Sequence, residues 1–101
     1  MVRQLVDNST LHRWRGLNAA QLLVHLADHA KQDPSFSPTT AVHTTRWHTR
    51  FDTCEFELLC TGPKFFDTRA NIGGGGAVHL VTHCMRLDFK GAVRFLQERG
   101  V

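Results

Sequence analysis

Two periodicities alternate along this chain. Over LNAAQLLVHLADHAKQ (17–32), Ala19, Leu22, Leu23, Leu26 and Ala30 recur at helical spacing, and Asn18 is placed to cap them. This pattern predicts a helix over 18–31. DPSFSPTT (33–40), with two prolines and two serines, stops that helix and predicts a loop. From about residue 42 the period falls to two. RWHTRF (46–51) sets Trp47 and Phe51 against Arg46, His48 and Arg50. CEFELLC (54–60) sets Cys54, Phe56, Leu58 and Cys60 against Glu55 and Glu57. Asp52-Thr53 is short enough for a hairpin turn, Thr61-Gly62-Pro63 makes another, and KFFDTR (64–69) reads as a third strand. The economical assembly is a three-stranded antiparallel meander.

After the third strand the helical period returns. Ala77, Val78, Leu80, Val81, Cys84 and Met85 share one face of a helix over about 76–86, with His79 and His83 on the other, solvent-facing side. Asp88 is placed to cap a final helix whose buried stripe is Phe89, Ala92, Val93 and Leu96, with Gly100 as its stop. Residues 1–16 are weakly patterned: Ser9 or Thr10 can cap one short helical turn, closed by Gly16. The expected fold is therefore α+β, with an N-terminal helix, a three-stranded antiparallel sheet and two C-terminal helices. Residues 1–16 form a weakly structured segment and 17–101 a single domain.

Between the third strand and the following helix lies NIGGGGAV (71–78), with four of the chain's eight glycines. Ordering such a run costs more backbone entropy than any other composition. A P-loop would need lysine and a hydroxyl residue after its last glycine, and Ala77-Val78 stand there instead. A dinucleotide-binding turn needs a βαβ unit with an acid after the next strand, and no such strand follows. Patterned segments on both sides argue against a free linker. A strand-to-helix corner that needs positive φ or close backbone approach remains, with a second reading in which the free N–H groups at the helix start bind a phosphate.

Composition adds a chemical bias. The chain has 101 residues, 42% hydrophobic and 21% charged, in the range of a globular domain. No apolar run approaches the roughly 20 residues that span a bilayer. The N-terminus lacks a secretory signal's apolar core, so no membrane association and a cytoplasmic location are expected. The net charge is +3. Nine of the twelve cations are arginine, whose guanidinium fork suits phosphate. Arg46, Arg50, Lys64 and Arg69 are interleaved with Trp47, Phe65 and Phe66. Such a set can track a single-strand backbone and stack bases, or its aromatics can form the core beneath solvated cations.

Metal and catalytic patterns are weak. His25/His29 and His79/His83 have the i, i+4 spacing of a helical metal pair, but Leu26 and Leu80 stand where a zincin carries glutamate. Cys54, Cys60 and Cys84 form no Cys-x-x-Cys or Cys-x-x-His pair and read as reduced thiols packed as small hydrophobes. The acids show no paired spacing, so no enzyme activity is expected.

TGPKFFD (61–67), IGGGGAVHLVTH (72–83) and LDFKGAVRFL (87–96) together resemble the N-terminal zinc-finger-type domain of bacterial-type DNA primases. The likeness is greater to metal-poor forms of that domain in plasmid, phage and conjugative-element proteins, and it covers roughly the last 55 residues. The family holds zinc in a zinc-ribbon-like sheet through a Cys-x-x-His pair and a Cys-x-x-Cys pair. Here DTRAN (67–71) occupies the place of the second pair, and His48 at most represents the first, so the resemblance implies a lost zinc site and no cofactor. It also implies a non-catalytic module that recognises single-stranded DNA beside a catalytic Toprim primase region or other replication proteins. The implied contacts are Arg46, Arg50, Lys64, Phe65, Phe66, Arg69, Gly74 and Gly75. A packing module that never touches DNA, or a domain that retains zinc, are the alternatives.

Overall fold

The computed structural model describes residues 6–38 and 43–101. Along the chain run α1 (Asn8–Arg15), α2 (Ala19–Leu26), β1 (His29–Gln32), β2 (Thr45–Phe51), β3 (Cys54–Thr61), β4 (Lys64–Asp67), β5 (Ile72–Gly75), α3 (Ala77–Met85) and α4 (Phe89–Glu98). Short polar side chains set three of the helix starts. Asp7, rather than Ser9 or Thr10, accepts from the Thr10 N–H at 2.8 Å. Asn18 accepts from the Gln21 N–H at 3.0 Å, and Asp88 from the Gly91 N–H at 2.8 Å.

The five strands form one antiparallel sheet in the order β1-β2-β3-β4-β5. This corrects the expectation of three strands with one N-terminal and two C-terminal helices, and the two extra strands arise at opposite ends of the sheet. At one end the helix expected over 18–31 stops at Leu26, because Ala27 is extended (φ −73°, ψ 152°). Asp28 then ties the chain to the β2–β3 hairpin: its N–H donates to Arg50 O (2.9 Å), and its carboxylate accepts from the Asp52 N–H (2.6 Å). Residues 29–32 consequently run alongside β2, with Ala30 opposite Thr49. Ala30 satisfies the period of a helix and of a strand equally, and four residues are too few for periodicity to separate the two.

At the other end the glycines are themselves strand. Ile72–Gly75 pairs with β4, Gly74 opposite Phe65 and Gly73 opposite Phe66. The corner reduces to Gly76, at φ 90°, ψ 154°, which turns the chain into α3. The N-terminal segment also holds more structure than one turn, since α1 spans eight residues and buries Trp14.

The buried strand residues Thr49, Phe51, Leu58, Cys60, Phe65 and Asp67 all fall on one face of the sheet in this register. They share a core with Trp14 of α1, Leu22, Leu23 and Leu26 of α2, Leu80, Val81 and Cys84 of α3, and Ala92, Val93 and Leu96 of α4. The helices thus cover one side of the sheet, and among the described residues the opposite side carries none. Phe89, expected in the buried stripe of α4, is 51% exposed because it heads the helix and overhangs the core. Burial pushes the thiols of Cys60 and Cys84 up to about 12, with Asp67 and Cys60 adding to the effect at Cys84, which suits packing rather than reactivity.

Two glycines carry distinct constraints. A side chain at Gly76 would be strained by its positive φ, and its Cβ would also meet the Arg15 Cα at 3.5 Å. A Cβ at Gly74 would lie 2.3 Å from the His79 ring. Gly76→Ala should therefore cost about 1–2 kcal/mol of unfolding free energy in any background. Gly74→Ala should destabilise the wild type but cost measurably less beside His79→Ala, and a double-mutant cycle by urea unfolding checks this.

Candidate nucleic-acid interface

On the helix-free side of the sheet, cross-strand pairing arranges side chains in rows. Arg46, Leu59, Phe66 and Gly73 form one row, since Arg46 pairs with Leu59, Leu59 with Phe66, and Phe66 with Gly73. Thr61, Lys64 and Gly75 form the row beside it. On the other side lie Lys31, His48 and Glu57, then His29, Arg50 and Glu55. The face grades from charged, over β1 and the β2–β3 hairpin, to apolar over β4 and β5. A groove of about 640 Å³ follows the apolar part, with Leu59, Phe66 and Gly73 as floor and Lys64, Thr61 and Pro38 among its walls. Gly73 lets the Phe66 ring lie against β5, because a Cβ there would stand 3.2 Å from Phe66 Cδ1.

The charged part is largely self-neutralised. Glu57 is the hub: its carboxylate meets Arg46 Nε at 3.3 Å, Arg69 Nη2 at 3.9 Å, and His48 Nδ1. The other ring nitrogen of His48 lies 3.1 Å from Glu55. Asp33 stands 4.0 Å from Arg46, and the Ser35 hydroxyl and N–H hold its carboxyl below the ordinary range. Arg50 is exposed and donates to Asp52 O at 3.2 Å. Lys64 is exposed and makes no ion pair among the described residues.

Of the eight residues singled out from the sequence, Arg46, Arg50, Lys64 and Phe66 stand on this open face, with Gly75 at its edge. Arg69 lies just beyond β4, against Glu57. Phe65 and Gly74 are on the helical side. Phe65 is 3% exposed, with His79 and His83 5.3 and 5.6 Å from its ring centroid. Gly74 lies beneath the His79 ring, and the Gly75 N–H donates to His79 Nδ1 at 3.4 Å. Leu59 and Glu57 also belong to this face; Leu59 is half-buried and breaks the polar phase of CEFELLC, a signal of an apolar side chain on the open face that the alternation already contained.

The histidines also depart from expectation. His25 and His29 no longer share a helix, and His25 Nε2 meets Arg99 O at 2.9 Å instead. His83, expected in solvent, is 2.7 Å from buried Asp67 and packs between Phe56 and Phe65. Among the described residues no group of three His, Cys, Asp or Glu side chains could hold a metal. The turn where the resembled family carries its second ligand pair is organised by Asp67: Oδ1 accepts from the N–H groups of Arg69 and Ala70, both at 3.0 Å. The residues at this turn do not fit zinc.

No family model matches the chain, and no solved structure matches it. A stretch of 44 residues is 41% identical to part of a 65 kDa protein of Zymomonas mobilis subsp. mobilis, covering 44% of this chain and 8% of that protein. The chain thus spans less than a tenth of that relative. Among the described residues no helix is long and apolar enough to cross a membrane.

Burial pushes the Asp67 carboxyl up, but hydrogen bonds from His83, Ala70 and Arg69, with the His83 charge, outweigh it and leave the group below its ordinary value. A folded value below the unfolded one contributes stability that is full above the unfolded value of about 4 and is lost as pH falls through the folded one. Asp67→Asn should lower stability at neutral pH by about 1–3 kcal/mol. The gap to wild type should close below about pH 4, as read from urea midpoints against pH.

Proposed function

We propose that this chain is a single-stranded DNA recognition module of a primase-like replication or mobilisation protein, without catalysis of its own and working in the cytoplasm. The observation that carries the reading is the open sheet face, where Arg46 heads the Leu59–Phe66–Gly73 floor and Lys64 stands in the row beside it. Bases stack on aromatic surface of any sequence, while cations beside it follow the phosphates. Phe66 and Leu59 supply the platform. Lys64, Arg50 and Lys31 supply charge that Glu57 does not hold. The primase-like resemblance of residues 61–96 supports the same reading, and a catalytic primase region is the natural neighbour of such a module.

A second reading rests on Glu57. With Arg46 and Arg69 drawn to it, the same face can dock an apolar protein surface without DNA. The two readings differ in what removing that carboxylate does. In the DNA reading, Glu57→Gln frees two guanidinium groups and tightens binding; in the docking reading, no DNA binding exists to tighten.

Fluorescence anisotropy with labelled single strands at low salt should show salt-dependent binding. Phe66→Ala should weaken it by roughly tenfold, the scale of one stacked base. Lys64→Gln should flatten the log–log salt slope by about one phosphate contact. Absence of binding at high micromolar protein would sink the proposal. The module is also proposed to fold without zinc: metal analysis of purified protein should find no stoichiometric metal, and one equivalent would refute this.

A further inference from the structure

Charge is divided unequally between the sheet and the helices. Between residues 28 and 69, on the strands and the turns that join them, stand six acids and five cations. The described helices and their flanking residues hold three acids, Asp7, Asp88 and Glu98. Against these stand six cations: Arg13, Arg15, Arg86, Lys90, Arg94 and Arg99. The positive excess of the described residues therefore lies over the helices, while the sheet carries a slight excess of acid. Two of the three helical acids are further committed to backbone, since Asp7 accepts from the Thr10 N–H and Asp88 from the Gly91 N–H. Glu98 stands one turn after Arg94, yet the ion pairs among the described residues all lie elsewhere, at Arg46, His48, Arg69 and His83.

Two of the helical cations are occupied within the chain. Arg13 donates to Val101 O at 3.0 Å, and the Arg99 guanidinium lies 4.5 Å from the centre of the Phe95 ring. Arg15, Arg86, Lys90 and Arg94 are exposed, and their side chains make no hydrogen bond or ion pair among the described residues. Packing brings their elements together. Arg15 ends α1 and lines one cleft with Thr82 of α3 and Phe89 of α4. Arg86 follows Thr82 by one turn, and Lys90 follows Phe89 directly. Lys90 and Arg94, four residues apart, share one flank of α4. Phe95 and Arg99 take another, toward α2, where Arg99 O meets His25. Phe89 is the one exposed aromatic ring on this side, so the cations do not border a stacking platform like the one on the sheet. Unpaired cations without such a platform suit a duplex, whose bases are already stacked inside and whose phosphates face outward.

We infer that the helical side binds the phosphate backbone of a nucleic-acid duplex through Arg15, Arg86, Lys90 and Arg94. The contacts are to charge, so they carry no base preference. This surface shares no side chain with the open sheet face and does not depend on the function proposed for it.

Fluorescence anisotropy with a labelled blunt DNA duplex, titrated with the whole chain over a series of salt concentrations, tests the inference. Affinity should fall linearly with salt on a log–log plot, and replacing Lys90 and Arg94 together by Gln should flatten that slope by about two. Arg15→Gln should flatten it by about one. The three side chains are exposed, so urea midpoints should stay at the wild-type value and show that the variants fold. Phe66→Ala, on the sheet face, should leave duplex binding unchanged, which separates the fate of this surface from that of the single-strand reading. Absence of duplex binding at low salt and high micromolar protein overturns the inference, as does a slope that the helical variants leave unaltered. Tighter binding to phosphatidylglycerol vesicles than to the duplex overturns it too, since the cations would then serve a lipid surface.

Discussion

Asp67 is the one charged side chain among the described residues that is almost wholly withdrawn from water, at 3% exposure. An isolated carboxylate in that position would cost several kcal/mol. It is tolerated because each oxygen is answered: Oδ1 by two N–H groups of the turn that follows β4, and Oδ2 by His83 of α3. Those bonds fix the 68–71 turn, in which Asn71 takes a left-handed conformation (φ 60°) and its N–H donates to Asp67 O. The turn in turn sets the register of β5 on β4. One carboxylate therefore holds the last strand, the helix after it and the aromatic pair Phe56–Phe65 around His83 in a single arrangement.

The helix-free face is governed by a different carboxylate. Glu57 sits in mid-sheet among Arg46, His48 and Arg69, so the cations that give the chain its net charge are not equally available. Counting arginines overstates the positive potential of this surface, because Arg46 and Arg69 are drawn to Glu57 while Lys64 stands beside the apolar floor. Charged and apolar side chains are segregated along the face, charged toward β1 and apolar toward β5. A strand lying across the rows would meet both.

Where a residue's period and its cap agreed, the sequence was legible. Asn18 and Asp88 cap the helices they were expected to cap, and the alternation in 46–51 and 54–60 orders the two central strands. The misreadings share a cause. β1 is four residues long and inherits Ala30 from a helical spacing, and its tie to β2 comes from Asp28 reaching a hairpin more than twenty residues away. β5 contains three glycines, which carry no hydrophobic period at all. Within the candidate site, Phe65 and Phe66 are neighbours of the same type, and only the register decides which enters the core. His83 looked solvent-facing because its partner lies on another element, beyond the reach of any helical wheel.

The glycine strand joins the two sides of the molecule more closely than a strand with side chains would allow. Gly73 faces outward and admits the Phe66 ring; Gly74 faces inward and admits the His79 ring. Two rings therefore lie on opposite faces of one edge strand, separated by a single thickness of backbone. Gly76 then turns that backbone into α3. A side chain at either of the first two positions would lift one ring away and thicken the edge. The four glycines are thus best understood as the thinnest partition that can stand between an aromatic surface in front and a helix start behind.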